Sequence, residues 1–424
     1  MLPNNIDWNN PTAVAEIKKK TKTMLRNRMQ KNAKETWKDI VTAVTEETEK
    51  IHTETQQYGS AIPEVKLEDI EHKTVSATTI ERILNRGAVV IRNIVDSAQM
   101  TQWYENLIDY IEENKYYDQD IDPNLDKYFS DLDSKKPQIF NIYWSHTQMN
   151  IRQHKNMAKA KQFLNHLWKH EVDGVKYFDP DKECIYADRF RMRAPGDTSL
   201  GLSPHIDGGS VERWIDNANQ KIYNPIFEGN WKNYDPFNGA YRNEVANIPS
   251  PAVCRAFRTY QGWVALTKQG PGDGTLQLVP MVKQSTAYLL MRPFQDDIQE
   301  EVLCGAEPAR AQAINDEWHQ ILLNGLVSIP LMQPGDTVWW HHDLIHAVEN
   351  EHSGDQTSSV VYVGSAPLCE RNRQYLELQK QAYLKGHSAP DFAPEHREVA
   401  YAHRSHLEDL SDLGKKEMGF IPWS

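Results

Sequence analysis

One histidine and one aspartate stand two residues apart in the segment Pro204-His-Ile-Asp207. On an extended strand, such residues point to the same face, so that an imidazole nitrogen and a carboxylate oxygen can share one metal ion. The pattern is too short to be specific, and His341-His-Asp343 contains a second copy. The context favours the first copy, because a strand-like run ending in Pro195-Gly-Asp197 precedes it and the sharply bendable Gly208-Gly209 follows it.

A third metal ligand has to come from a distant strand. Segment 334–346, Pro-Gly-Asp-Thr-Val-Trp-Trp-His-His-Asp-Leu-Ile-His, is typical of a turn and an aromatic strand that ends near His346. His341 and His342 in the same segment are the alternatives for this ligand. Two histidines and one carboxylate on one side of a metal leave its other side open, as in non-haem Fe(II) oxygenases.

Three blocks of sequence occur in the same order as in a known enzyme family. They are Arg193-Ala-Pro-Gly with Pro204-His-Ile-Asp207, Trp263-Val-Ala-Leu266 with Gly274-Thr-Leu-Gln-Leu-Val-Pro280, and Gly335-Asp-Thr-Val-Trp-Trp-His-His-Asp-Leu-Ile-His346. Residues 80–365 thereby resemble the phytanoyl-CoA-dioxygenase-like branch of the Fe(II)/2-oxoglutarate oxygenases. The whole chain, including Asp391-Phe-Ala-Pro-Glu395, is similar to the YbiU-like proteins of enteric bacteria.

The resemblance implies both a fold and a reaction. The expected fold is α+β with a mainly β core, a double-stranded β-helix (a distorted, cupin-like jelly roll) with helical additions at both ends. The expected iron ligands and catalytic residues are His205, Asp207 and His346. The expected activity is that of a dioxygenase, an oxidoreductase that binds Fe(II) and uses 2-oxoglutarate and O₂ to hydroxylate a small organic substrate.

One position departs from the family pattern. Relatives usually carry an arginine about eleven residues after the distal histidine, and this arginine pairs with the far carboxylate of 2-oxoglutarate. Here that position is Thr357, which is followed by Ser358. A hydroxyl cannot replace the charge and the two-pronged hydrogen bonding of a guanidinium. Either another arginine reaches the co-substrate, assisted by hydroxyls of Thr357 and Ser358, or the co-substrate differs.

Two arginines are the candidates for this cofactor-binding role. Arg193 stands where relatives can carry a lysine that contacts the co-substrate, and Arg258 lies on the strand-like run before Trp263. Arg189 and Arg191 share the strand face of Arg193 by the period of two. For each arginine the alternative is an ordinary ion pair without a catalytic role.

The missing arginine keeps other functions open. One is a cupin-like metal-dependent dioxygenase, isomerase or lyase that does not use 2-oxoglutarate. Another is a non-catalytic jelly-roll binding protein, because a fold alone does not guarantee activity. Nucleic-acid demethylation is a minor variant that rests only on the basic segment 18–38.

The elements around the candidate ligands suggest one core with additions. Residues 1–75 are expected to form amphipathic helices that pack on the core, since apolar residues recur there at three, four and seven positions. Residues 76–367 would form the oxygenase core, with an insert or lid at about 210–253 that has no clear periodicity. Residues 368–424 are expected to be helical again.

Composition restricts the class of protein. The 424 residues carry a net charge of −12 with 39% hydrophobic residues, which is typical of a globular chain and unfavourable for nucleic-acid binding. No membrane span or signal peptide is evident, and the four cysteines form no CxxC pair. A cytoplasmic location is therefore expected, whereas the substrate and the oligomeric state are not predicted.

Overall fold

The computed structural model describes residues 2–3, 6–29, 33–119, 137–199, 203–250 and 254–423. The end of the expected insert, 251–253, lies outside the described residues. The α-helices are α1 (Pro11–Arg28), α2 (Ala33–Tyr58), α3 (Leu67–Glu71), α4 (Ala77–Arg86), α5 (Ser97–Glu113), α6 (His146–Arg152), α7 (Lys155–His166), α8 (Glu212–Ile215), α9 (Asn217–Ile222), α10 (Asn224–Phe227), α11 (Val282–Met291), α12 (Asp316–Leu323), α13 (Glu370–Lys385) and α14 (Asp412–Glu417).

The strands of the described residues are short. They are β1 (Glu64–Lys66), β2 (Ala88–Arg92), β3 (Ile139–Phe140), β4 (Glu171–Val172), β5 (Val175–Lys176), β6 (Asp179–Glu183), β7 (Phe190–Arg193), β8 (His205–Ile206), β9 (Tyr260–Ala265), β10 (Leu276–Leu278), β11 (Gln312–Ala313), β12 (Val327–Ser328), β13 (Thr337–His341), β14 (His346–Val348), β15 (Ser358–Ser365) and β16 (Pro367–Leu368). The fold is thus mixed α+β, as expected from the sequence.

Two sheets position the candidate ligands. The larger has seven strands in the order β1-β2-β13-β9-β15-β7-β3, and the smaller has five in the order β11-β8-β14-β10-β12. All pairings in these sheets are antiparallel except β1 with β2. The smaller sheet carries His205 on β8 and His346 on β14, which are directly paired across the ladder.

One face of the larger sheet is turned towards the smaller sheet. On β9 the side chain of Gln261 reaches Asp207, which immediately follows β8, and thereby identifies this face. The register places Trp340 of β13 opposite Gln261. It places Arg191 of β7 opposite Val360, and Val360 lies two residues before Tyr362 on β15. Because strand side chains alternate with a period of two, Arg191, Tyr362, Gln261 and Trp340 share this inner face.

The amino-terminal helices pack against the rest of the chain. Asn10 caps α1, its Oδ1 accepting hydrogen bonds from the backbone N–H groups of Thr12 and Ala13 at 3.0 and 3.3 Å. The buried Lys22 donates to the carbonyl oxygens of Gln299 and Val302 at 2.7 and 3.2 Å. Part of the basic segment 18–38 is therefore held by the chain's own loop.

The segment after residue 210 differs from the aperiodic insert that its sequence suggests. It contains α8, α9 and α10, whose aromatic residues join a core cluster with α1, α2 and α11. Trp214 and Phe227 are fully buried there. The helices are only four to six residues long, too short to show helical periodicity in the sequence.

Among the described helices, none combines the length and the apolar character needed to cross a lipid bilayer.

Candidate functional site

His205, Asp207 and His346 meet between the two sheets. His205 Nε2 lies 3.4 Å from Asp207 Oδ1, and His346 Nε2 lies 3.3 Å from Asp207 Oδ2. The two imidazole rings are 4.2 Å apart between centroids, and one ligand atom of each residue lies within 4.8 Å of the others. This spacing allows all three residues to bind a single metal ion.

Backbone carbonyls fix which nitrogen of each ring is available. The Nδ1–H of His205 donates to the carbonyl of Ser203 at 2.6 Å, and that of His346 donates to Leu344 at 3.1 Å. In a neutral imidazole, the other nitrogen then carries the lone pair. The Nε2 lone pair of each neutral ring is thus available to a metal ion beside Asp207, which is the arrangement that metal-binding histidines require.

The pKa shifts of Asp207 and His346 suit a bound cation, whereas burial would lower the pKa of His205 but the adjacent Asp207 carboxylate raises it. Burial alone would raise the pKa of Asp207, but the adjacent His205 and His346 rings hold that pKa well below its usual range. Burial, reinforced by the nearby His205, lowers the pKa of His346. The site therefore offers one carboxylate and histidine nitrogens, a donor set that fits Fe(II) and other divalent transition metals.

Two residues of the larger sheet hold the carboxylate in place. Gln261 Nε2 donates to Asp207 Oδ2 at 2.7 Å, and its own Oε1 accepts from Trp340 Nε1 at 3.0 Å. The Trp340 ring also packs 5.3 Å from the His346 ring. Sequence reasoning missed Gln261, although a glutamine inside the otherwise apolar Tyr-Gln-Gly-Trp-Val-Ala strand was a visible signal.

The two residues that follow Asp207, Gly208 and Gly209, have no room or backbone geometry for a side chain. A Cβ atom on Gly208 would lie 2.8 Å from the His342 carbonyl oxygen and 3.0 Å from Arg213 Nη2. Gly209 adopts a φ of +102°, which side-chain-bearing residues rarely adopt. The two glycines allow the chain to turn directly from the ligand strand into α8, as the sequence suggests.

His341, His342 and Asp343 also lie close enough together to hold an ion, but most of their polar atoms are occupied. Asp343 accepts from Arg213 and Arg242 at 2.8 and 2.9 Å. His341 Nε2 donates to a carbonyl and its Nδ1 accepts the Asp343 amide, while His342 Nε2 accepts from Arg242. This cluster is neutralised by arginine rather than arranged for a metal.

The Arg193 guanidinium is hydrogen-bonded to backbone carbonyls. Its Nη1 and Nη2 donate to four carbonyl oxygens, those of Gly274, Glu349, Asp197 and Asn350. A guanidinium has five N–H groups, so only the Nε–H of Arg193 remains, and it is buried without a partner. Arg193 thus fastens three loops together, which leaves its amino groups unable to bind a co-substrate in this arrangement.

The two hydroxyl candidates differ in their surroundings. Ser358 is buried, and its Oγ donates to the carbonyl of Asp273 at 2.9 Å. Thr357 is half-buried and lies just before β15. Ser358 is therefore engaged in holding the 273 loop, beside the carbonyls that Arg193 binds.

The matches to known proteins identify the family of this chain. The family model described as Gig2-like matches residues 11–420. The chain belongs to the Gig2-like family. The Gig2-like chain is 39% identical over 383 residues to the Escherichia coli K12 protein named "Uncharacterized protein YbiU", with 90% of each chain covered.

Solved structures resemble the Gig2-like chain over its whole length. The hypothetical protein JW0805 from Escherichia coli has a TM-score of 0.88 at 35% identity, covering 99% of this chain and 98% of that one. GlcNAc Inducible Gene 2 (DUF1479) from Candida albicans has a TM-score of 0.80 at 27% identity, covering 100% and 91%. The non-heme alpha-ketoglutarate-dependent carbocyclase SnoK reaches only 0.38 at 14%, too low to assign the chain to that oxygenase superfamily.

Two further arginines of the Gig2-like chain are candidates for binding a co-substrate. Arg191 is buried on the inner face of the larger sheet, and its Nε and Nη2 have no hydrogen-bond partner in the described part of the chain. Arg258 lines a pocket beside Asp207. The period of two indicated Arg191 as a neighbour of Arg193, but only the structure separates the engaged side chain from the free one.

Gln261 provides a test of the support for Asp207 in the Gig2-like chain. We expect Gln261→Leu to weaken Fe(II) binding by roughly 10- to 100-fold, because loss of a residue that orients a metal ligand typically has this effect. Anaerobic equilibrium dialysis of the metal-free protein measures it. The control is Gln269→Leu, which removes another buried glutamine that bonds to backbone carbonyls instead. Equal affinities in the two variants would contradict the expectation.

Proposed function

We propose that this chain is a non-haem Fe(II)-dependent oxygenase that uses 2-oxoglutarate and O₂ to hydroxylate a small organic substrate. The observation that carries the proposal is the convergence of the His205 and His346 Nε2 atoms on the two oxygens of Asp207. Two sheets that face each other across these residues fit a double-stranded β-helix. Residues 1–75 and 368–424 would then be additions to a core at 76–367.

The role of the chain is to hold the metal while leaving part of its surface open. Bound iron would supply the activation of O₂, which amino-acid side chains cannot perform. His205, Asp207 and His346 would bind one side of it, and Gln261 would keep the carboxylate oriented. The co-substrate and the C–H bond of the substrate would occupy the remaining side of the metal.

Arg191 is the residue that best fits the far carboxylate of 2-oxoglutarate. It lies on the inner face of β7 opposite Val360 of β15, the strand that follows the position where relatives carry their arginine. Its Nε and Nη2 have no hydrogen-bond partner in the described residues, and an unpaired buried cation is unfavourable unless a ligand pairs with it. We therefore propose Arg191, and not Arg193, as the residue that binds the far carboxylate of 2-oxoglutarate.

The proposal predicts a spectroscopic signal. Adding 2-oxoglutarate to the anaerobic Fe(II) protein should produce the visible metal-to-ligand charge-transfer band of a chelated 2-oxo acid. Arg191→Gln should raise the Kd for 2-oxoglutarate by about 10- to 100-fold, because hydrogen bonds between charged groups contribute about 1.5–3 kcal/mol. Titration of the band measures this Kd.

The variant Arg258→Gln is the control, since Arg258 is the other arginine suggested by the sequence. It should leave the Kd for 2-oxoglutarate unchanged if Arg191 is the anchor. A loss of affinity for 2-oxoglutarate in Arg258→Gln, without a loss in Arg191→Gln, would show that Arg258 binds the far carboxylate. A protein that binds Fe(II) but gives no band would instead favour the metal-dependent enzyme that does not use 2-oxoglutarate.

A further inference from the structure

A pocket beside Asp207 is rich in arginine. It comprises about 560 Å³ of space at the surface, part of it open to solvent. Its charged lining consists of Asp207, Arg242, Arg258 and Arg371, and its polar lining includes His342 and Asn247. Three guanidinium groups thus face a single carboxylate, which is itself a candidate metal ligand.

Arg242 does not contribute free charge to this pocket. Its Nη1 pairs with Asp343 at 2.9 Å, and its remaining N–H groups donate to His342, Tyr234 and two backbone carbonyls. Its role is to hold the pocket wall in place. The positive charge available to a ligand must therefore come from the other two arginines.

Arg258 has no counter-ion in the described residues. Its Cζ lies 4.9 Å from the centre of the Tyr186 ring, and its Cδ would lie 2.9 Å from a Cβ on Gly364. The acids nearest to it electrostatically include Asp188 and Asp207. Asp188 lies 3.6 Å from Arg189, and Asp207 lies between the two histidines. The guanidinium is thus positioned by packing rather than by an ion pair.

Arg371 is held at the pocket in a different way. Its Nε and Nη1 donate to the backbone carbonyls of Arg255 and Val245, which leaves Nη2 without a partner in the described residues. Asp391, one of the acids nearest to it, pairs with Arg255 at 2.8 Å. Burial lowers the pKa of Arg371, and the more distant Asp391 and Asp216 offset this only in part.

The other titratable groups of the pocket are neutral. Burial raises the pKa of the Cys254 thiol to about 12 and lowers the pKa of His342 to about 3. Because Arg242 can only donate, His342 Nε2 accepts and its proton resides on Nδ1, which is buried without a partner. Apart from the Asp207 carboxylate, the pocket therefore presents hydrogen-bond donors and positive charge.

We propose that this pocket binds an anionic group of the organic substrate, a carboxylate or a phosphate, through Arg258 and Arg371. The proposal rests on the proposed function in that the pocket adjoins Asp207, so that a bound anion would place the rest of the substrate near the metal. Guanidinium groups recognise both anions through paired hydrogen bonds. Arg191 and Arg258 then serve different molecules, the co-substrate and the substrate.

The test uses the full-length, metal-free protein, with inorganic phosphate and acetate as probes at constant ionic strength. Isothermal titration should detect binding of one or both anions to the wild type. Arg258→Gln and Arg371→Gln should each weaken that binding at least tenfold, because each removes charge-assisted hydrogen bonds. Binding of phosphate alone or of acetate alone identifies the substrate's anionic group. Arg26→Gln, which removes an arginine that pairs with Glu300 and does not line the pocket, should bind the probe like the wild type.

Two results would overturn the proposal. One is the absence of binding for both anions, and the other is a loss of binding in Arg191→Gln with unchanged affinity in Arg258→Gln and Arg371→Gln. Circular dichroism checks that each variant is folded. If Arg258→Gln does not fold, Arg258→Lys takes its place, because it keeps the positive charge but loses the paired hydrogen bonds of the guanidinium. Fe(II) binding is measured separately in the same proteins. A wild type that binds the probe but not Fe(II) would refute the proposed oxygenase and leave the anion site intact.

Discussion

Replacing His346 with alanine is expected to lower the affinity for Fe(II) by more than about 100-fold. In the proposed site the ring supplies one of three ligand atoms, and loss of a residue that merely orients a ligand typically has an effect of about 10- to 100-fold. Its Nε2 lies 3.3 Å from Asp207 Oδ2, and no other histidine of the described residues joins His205 and Asp207. Anaerobic equilibrium dialysis with Fe(II) measures the affinity.

The control for His346→Ala is His342→Ala, four residues earlier in the same segment. His342 belongs to the second cluster, in which Arg242 occupies its Nε2 at 2.8 Å. This variant should retain Fe(II) binding, so the pair of variants separates the two clusters. Retained binding in His346→Ala together with lost binding in His342→Ala would move the metal site to the second cluster.

The sequence predicted that His205 and Asp207 would meet because they are two residues apart, whereas the choice of His346 came from the family resemblance. A period of two places His205 and Asp207 together on any extended strand. The aromatic run before His346 predicted a strand, and β13 ends at His341 with β14 beginning at His346. What the sequence could not supply is the pairing of β8 with β14, which joins residues separated by some 140 positions.

The choice among the arginines could not be made from the sequence for a similar reason. Arg191 and Arg193 alternate identically on β7, and both are buried. They differ because loops from remote parts of the chain place carbonyl oxygens around Arg193, at Gly274 and Glu349 among others, whereas in the described residues none pairs with Nε or Nη2 of Arg191. Such loop contacts depend on tertiary structure and leave no periodic signal.

The helices after residue 210 illustrate a second limit. α8, α9 and α10 are too short to display a hydrophobic period, and their aromatic residues are buried against α1, α2 and α11. Aromatic side chains that resemble a loop or lid in sequence thus form part of the core. The same segment still reaches the candidate site, since Arg242 and Asn247 line the pocket beside Asp207.

This connection between core and site depends on Asp343. Its carboxylate is completely buried and accepts hydrogen bonds from Arg213 and Arg242, at 2.8 and 2.9 Å, and from Tyr223 at 3.0 Å. Arg213 follows the ligand strand β8, whereas Asp343 precedes the ligand His346. One acid therefore links both segments that carry the candidate ligands to the insert, and the two arginines would repel each other without it.

Asp343→Ala is accordingly expected to lower the free energy of unfolding by about 3–5 kcal/mol, because removal of one partner leaves buried charges uncompensated. That is a large part of the roughly 5–15 kcal/mol typical of a folded domain. Denaturant unfolding followed by circular dichroism measures it. Asp296→Ala is the control, since Asp296 and its partner Lys34 are each 89% exposed and their ion pair should contribute little. Equal unfolding midpoints in the two variants would show that Asp343 does not organise the site. If Asp343→Ala does not fold, Asp343→Asn preserves the shape and still removes the charge, so its destabilisation relative to Asp296→Ala decides the point.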